Sequence, residues 1–166
     1  EIVPDEAVEL IHNESLSILE DVGCEFRDDE AIAMWKQGGA DVSGTRVRFD
    51  RALLMDLVSK VPAEFTLNAR NPERSVQVGG RNSVFVPMYG APYVRDLDNN
   101  RRYGTLEDLN NFHKLAYMAP ALHSSSSIIC EPMEIAVPKR HLHIIHSALK
   151  HSDKPFMGIV TSKDRA

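Results

Sequence analysis

The chain has little cysteine: Cys24 and Cys130 are the only two in 166 residues, far apart and without CxxC spacing. That excludes a cysteine-ligated zinc site, and no bound metal is expected. Two lone thiols fit a reducing compartment, the cytoplasm, better than a disulfide scaffold. Long apolar runs are missing as well. No stretch reaches the roughly 18 residues that a membrane helix needs. Residues 1–5 have neither the basic patch nor the apolar core of a secretory signal. An excess of positive charge is also lacking, with 19 Lys and Arg against 24 Asp and Glu. That balance argues against a nucleic-acid binder. What is present is ordinary globular composition, 43% hydrophobic and 26% charged, enough for one domain or slightly more.

The first 60 residues read as helices with short strands between them. Val8, Ile11, Ile18, Leu19 and Val22 recur at helical steps, and Gly23 stands where a left-handed cap belongs. Asp28 and Asp50 are placed to cap two further helices, and Ser43-Gly44 folds a hairpin between them. From residue 63 the period switches to two. Strands are predicted over 65–67, 76–78 and 83–86, followed by a hairpin of 93–96 and 101–103 around adjacent asparagines. After residue 104 strands and helices alternate. Thr105 and Asp108 form a capping box. A helix follows, then a strand over 122–130, a helix over 137–151 and a strand over 155–160, with Thr161 to Asp164 able to cap another helix.

This β–α–β–α–β order predicts parallel strands joined by right-handed crossovers. Three parallel strands cannot close a barrel, so the residues are expected to be the front of a larger protein. The expected fold class is α/β. Residues 1–80 form a mixed α+β extension, and 81–166 form the first βα units of a (β/α)8 TIM barrel.

Several segments together resemble the trimethylamine:corrinoid methyltransferase family, which includes relatives acting on glycine betaine. They are the helix from Ile11 to Gly23, Gly39-Ala-Asp-Val42 with Val47-Arg-Phe49, and Val61-Pro62. Asn68-Ala-Arg-Asn-Pro72, Gly79-Gly80, Asp96-Leu-Asp98, Arg101-Arg102, Gly104-Thr-Leu-Glu-Asp108 and Lys154-Pro155 continue the series. The order and spacing carry the resemblance. It implies a (β/α)8 barrel and transfer of a methyl group from trimethylamine or a quaternary amine to the cobalt of a corrinoid. That corrinoid (cobalamin) rides on a separate partner protein, and the enzyme is expected to be a homo-oligomer.

A methyl group on positively charged nitrogen leaves behind a neutral amine, so the protein's task is positioning and charge stabilisation. Aromatic faces and a carboxylate suit such a cation. Tyr89 and Tyr93, after one strand, are candidate walls; packed turn tyrosines are the plainer reading. Glu131, after the strand 122–130, is a candidate counter-charge, or simply a solvated loop carboxylate. His123 and Ser125 share one face of that strand, where small polar groups would leave room for a ligand or merely bond one another. Arg101 and Arg102 pair across the hairpin with Asp96 and Asp98, or contact the corrinoid partner. His141 and His143 lie about 200° apart on a helix and cannot share a metal. His141 and His113 read as buried, hydrogen-bonded histidines, and His143 and His146 as solvated ones. Two rivals to methyl transfer remain open. One is a non-catalytic barrel that binds quaternary-ammonium ligands or scaffolds a corrinoid protein; the other is a barrel lyase or aldolase.

Overall fold

The computed structural model describes residues 3–158 and 162. The chain divides into two compact units, Glu1–Pro62 and Ala63–Ala166. The hairpin expected around Ser43-Gly44 falls in the first unit, and the strands expected over 65–67 and 76–78, within the extension, fall in the second.

In the first unit, helix α1 (Asp5–Ser17) runs into one wide π-helical turn, Ile18–Val22. The Gly23 amide closes that turn on the Ile18 carbonyl at 2.9 Å. Gly23 has φ 69°, and a Cβ there would lie 2.2 Å from the Val47 oxygen, so only glycine fits. Strand β1 (Cys24–Glu25) and β2 (Asp41–Ser43) flank β3 (Arg46–Arg48), all antiparallel. Helices α2 (Asp29–Gln37) and α3 (Arg51–Ser59) start where Asp28 and Asp50 accept from the amides three residues on, at 2.9 and 3.0 Å. The core is Ala40, Val47 and Phe49. Phe26, Trp35 and Phe49 pack edge-on around it with centroids 4.8–6.3 Å apart.

The second unit opens with the antiparallel hairpin of β4 (Glu64–Leu67) and β5 (Val76–Gly79). A second hairpin joins β6 (Tyr93–Arg95) to β7 (Arg101–Tyr103), with Asn99 taking φ 65° in its turn. Helix α4 (Leu106–Met118) carries the capping box of Thr105 and Asp108. Helix α5 (Val137–His151) packs on α4 around Val94, Leu109, Ile128, Cys130 and Ile144.

Residues 83–86 and 122–130 depart from the expected regular strands. The Phe85 carbonyl accepts from the His123 amide at 2.9 Å, the Ile128 carbonyl from Gly90 at 2.7 Å, and the Ala91 carbonyl from Glu131 at 2.8 Å. These bonds and the Ala91–Cys130 bridge align the two segments in parallel without a continuous ladder. The interruption lies in the serines: Ser126 adopts φ 56°, and its amide bonds the Ser124 hydroxyl at 3.1 Å instead of a neighbouring strand. On the other side, Ser124 Oγ and the Ser125 amide donate to the Pro155 carbonyl at 2.8 and 3.1 Å. The segment 122–130 thus lies between 85–91 and Pro155. Of the strand expected over 155–160, residues 155–158 form no regular strand and 159–160 lie outside the described residues, as do Thr161, Lys163 and Asp164 of the expected cap.

Lys154 fastens this arrangement. Only 6% exposed, it donates from Nζ to the carbonyls of Ala116, Ala119 and Leu122, each at 2.8 Å. Those oxygens belong to the end of α4 and the turn into 122–130, where helix carbonyls lack intrahelical partners. Burial first, then Arg74, lowers the Lys154 pKa, and Asp153 opposes them. Lys154→Met is expected to destabilise the protein by about 2–4 kcal/mol in denaturant unfolding, because three buried acceptors lose their donor. A loss below about 0.5 kcal/mol would refute the clamp.

Candidate functional site

The parallel pairing sets Gly90 against Ile128 and Ala91 against Cys130. Tyr89 and Glu131 are therefore at the same end of the two segments, next to the start of β6, which carries Tyr93. Tyr89 is 54% exposed, and its hydroxyl has no hydrogen-bond partner among the described residues. Tyr93 is differently placed. Its ring stacks on Tyr103 at 4.7 Å, and the Arg101 guanidinium lies 3.8 Å from its centroid. The Tyr93 ring already holds a cation, one supplied by its own hairpin. The hydrogen bond between the two tyrosine hydroxyls, then the neighbouring phenol itself, raises the Tyr103 pKa.

The expected ion pairs of Arg101 and Arg102 with Asp96 and Asp98 do not form. The register sets Arg101 opposite Arg95 and Arg102 opposite Val94, leaving both aspartates in the turn. Asp96 accepts from the Asn100 backbone and side chain, which lower its pKa. Arg102 instead forks onto Asp108 of α4, with Nη2–Oδ1 at 2.8 Å. The guanidinium, and then the Thr105 hydroxyl and amide, hold the Asp108 carboxyl far below the usual range against the cost of burial. Neither arginine is a spare cation.

Glu131 is ion-paired to Arg140 at 3.3 Å, and Arg140 also donates to the Ile135 carbonyl. His123 accepts at Nδ1 from the Phe85 amide at 2.9 Å and stacks on the Phe85 ring. This bond assigns its proton to Nε2. His123 lines a cavity of about 250 Å³ with Arg74 and Lys154. Ser125 is fully buried, its hydroxyl 3.5 Å from the Pro155 oxygen. A more apolar cavity of about 410 Å³ lies over Ser124, between Phe65, Val84 and Met157. Tyr93 lines a different cavity from His123, of about 230 Å³, with Met88, Ala91 and Cys130.

The sequence reading missed Arg140, Phe85 and Lys154 as partners, because each pairing is decided by tertiary contact. It also gave His141 a hydrogen bond that the structure lacks: the ring is 8% exposed, and Nδ1 has no partner among the described residues. His113 is bonded at Nδ1 to Ser147 Oγ at 2.7 Å, and Ser147 donates to Asn110 at 2.6 Å. Cys130 is buried. Desolvation, then Asp108 and Glu134, push its thiol up to about 11, so it is no nucleophile at neutral pH. Among the described residues, no three His, Cys, Asp or Glu side chains are grouped to hold a metal, and no helix is long and apolar enough to cross a membrane.

A family model for trimethylamine methyltransferase (MTTB) matches residues 1–166. The chain belongs to the trimethylamine methyltransferase family. Glycine betaine methyltransferase of Desulfitobacterium hafniense (strain Y51) is 42% identical over 165 residues, covering 99% of this chain and 34% of that protein. L-carnitine:corrinoid methyltransferase of Eubacterium limosum is 32% identical over 156 residues, 92% of this chain and 32% of its own length. Trimethylamine methyltransferase MttB of Desulfitobacterium hafniense (strain DSM 10664 / DCB-2) is 30% identical over 110 residues, 64% of this chain and 22% of its own. The chain spans about a third of the length of the first two relatives.

Within this member of the trimethylamine methyltransferase family, burial draws the His113 imidazole down to about 4, against an opposing contact from the Ser127 backbone. The folded state thus keeps His113 neutral, while the unfolded chain binds a proton below pH about 6.5. Stability is expected to fall as pH drops from about 6.5 to about 4, by up to roughly 3 kcal/mol from this group. His113→Gln should flatten the slope of unfolding free energy in that window. An unchanged slope would show that His113 is not its source.

Proposed function

We propose that this chain is part of a methyltransferase that moves a methyl group from a quaternary amine of the betaine class to the cobalt of a corrinoid. The corrinoid would be carried by a partner protein. The observation that carries the reading is the 42% identity to glycine betaine methyltransferase along 99% of the chain. We also read the parallel segments 84–91 and 122–131, with α4 and α5 packed beside them, as the opening of a (β/α)8 barrel. In such a barrel, reacting groups gather at the C-terminal ends of strands. Tyr89, Tyr93 and Glu131 are at that end of the aligned segments.

A corrinoid supplies the cobalt that accepts the methyl group; this chain's residues bind and orient the cation. The exposed face of Tyr89 is available to it, and Tyr93 is available once Arg101 withdraws. Glu131 offsets its charge in competition with Arg140. A quaternary ammonium suits this environment better than a tertiary amine, because it leaves as a neutral amine and needs no proton. Neither His113, held neutral by burial, nor Cys130, whose thiol is held protonated, supplies one near neutral pH. A homo-oligomer in the cytoplasm belongs to the same reading. The free thiols fit a reducing compartment, and exposed Val8, Ile11 and Ile18 on and beyond α1 offer apolar surface for a second copy.

The test is methylation of the reduced corrinoid partner by the intact enzyme, followed by its visible spectrum, with glycine betaine, carnitine and trimethylamine compared. Glycine betaine is expected to be the best donor. Glu131→Gln should lower kcat/KM about tenfold, equivalent to about 1.4 kcal/mol of transition-state stabilisation. No methylation with any of the three would overturn the assignment. An unchanged Glu131→Gln enzyme would reduce Glu131 to the structural partner of Arg140.

A further inference from the structure

Charge is unevenly divided between the two units. Residues 1–62 carry 6 Lys and Arg against 14 Asp and Glu, whereas 63–166 carry 13 against 10 and hold six of the seven histidines. On α5, Lys150 follows His143 and His146 at helical steps of three and four. Beside them, between α4 and α5, is a groove of about 450 Å³, within the size range of small-molecule sites.

The chemistry of its walls is specific. Lys150 supplies a cation, His143, His146 and His151 supply imidazole nitrogens, and Asn110 adds an amide. Leu106 and Leu142 supply an apolar side. No carboxylate lines the groove. Arg27, Arg48, Arg51, Lys60, Arg74, Arg102 and Arg140 each have an acidic partner. Among the described residues Lys150 has none, and Lys114, across on α4, reaches only the Asn111 amide oxygen at 3.3 Å. Burial, followed by Lys114, Lys150 and His146, lowers the His151 pKa. Lys114 and Lys150 lie close enough to bear on His151, and a bound anion would offset their charge.

We propose that the groove between α4 and α5 binds a small organic phosphate, its phosphate group held by Lys150, His146 and His151 and its apolar part lying on Leu106 and Leu142. A lysine and three imidazoles lining one groove favour a tetrahedral dianion over a carboxylate, which offers fewer acceptor sites and half the charge. The site is separate from the segments assigned to methyl transfer, and the proposal stands or falls independently of that reading.

The test is calorimetric titration of the intact protein at low ionic strength with phenyl phosphate, inorganic phosphate and benzoate. Phenyl phosphate is expected to bind with a dissociation constant of roughly 0.1–1 mM. Inorganic phosphate should bind several-fold more weakly, which separates a phosphate ester from the free anion. Benzoate should bind weakest. The double substitution H146Q/K150Q, at two exposed positions, should weaken phenyl phosphate binding about tenfold or more. Lys139→Gln, on the same helix but outside the groove, should change it less than about twofold. If the double variant fails to fold, the single variants and NMR shift perturbations carry the same test, with shifts expected on α4 and α5. No binding to folded protein at about 10 mM, benzoate binding equal to that of phenyl phosphate, or equal weakening by Lys139→Gln would overturn the proposal.

Discussion

The ε-ammonium of Lys154 sits among three carbonyl oxygens, and the second unit is organised around that contact. Burying an ammonium costs several kcal/mol unless its protons find acceptors. Here all three do, on the last turn of α4 and the turn that follows it. The helix supplies further stabilisation, because its C-terminal end carries partial negative charge. Residue 154 is next to Pro155, whose carbonyl receives Ser124 and Ser125. One side chain therefore ties the exit of α4, the entry to 122–130 and the segment beside it. Arg70 does the same for α5, donating to the Leu149 and Ser152 carbonyls.

The groups assigned to substrate depend on that alignment. Tyr89 and Glu131 lie at the same end of the two segments because Gly90 and Ala91 bond to 128–131 in a fixed register. Arg101 on Tyr93 and Arg140 on Glu131 hold internal counterparts of what a methylated cation would seek: a positive group over an aromatic face and a positive group beside a carboxylate. A methylated cation bound at this edge, as proposed, would compete with both, so its affinity would reflect the difference between two cations rather than the full worth of either contact.

Helix starts were legible in the sequence because capping is local: Asp28, Asp50 and Thr105 each bond an amide three residues away. Gly23 and Asn99 were legible for a similar reason, since left-handed backbone limits the residues that fit. The strand over 122–130 was misread as regular, because four serines can bond backbone and one another, and Ser126 turns the chain. Arg102 was assigned the wrong carboxylate. Alternation reveals which residues share a strand face but not the register that leaves Asp96 and Asp98 beyond the ladder. The Lys154 clamp joins residues 32 to 38 positions apart, a spacing that no local pattern encodes.

Amide hydrogen exchange of the intact protein, compared with its Lys154→Met variant, tests the organising role of that lysine most directly. The amides of Ser125, His123 and Gly90, bonded to Pro155, Phe85 and Ile128, are expected to lose protection together with the last turn of α4. Faster exchange confined to that last turn, with Gly90 and His123 still protected, would contradict the claim that Lys154 holds the aligned segments in place.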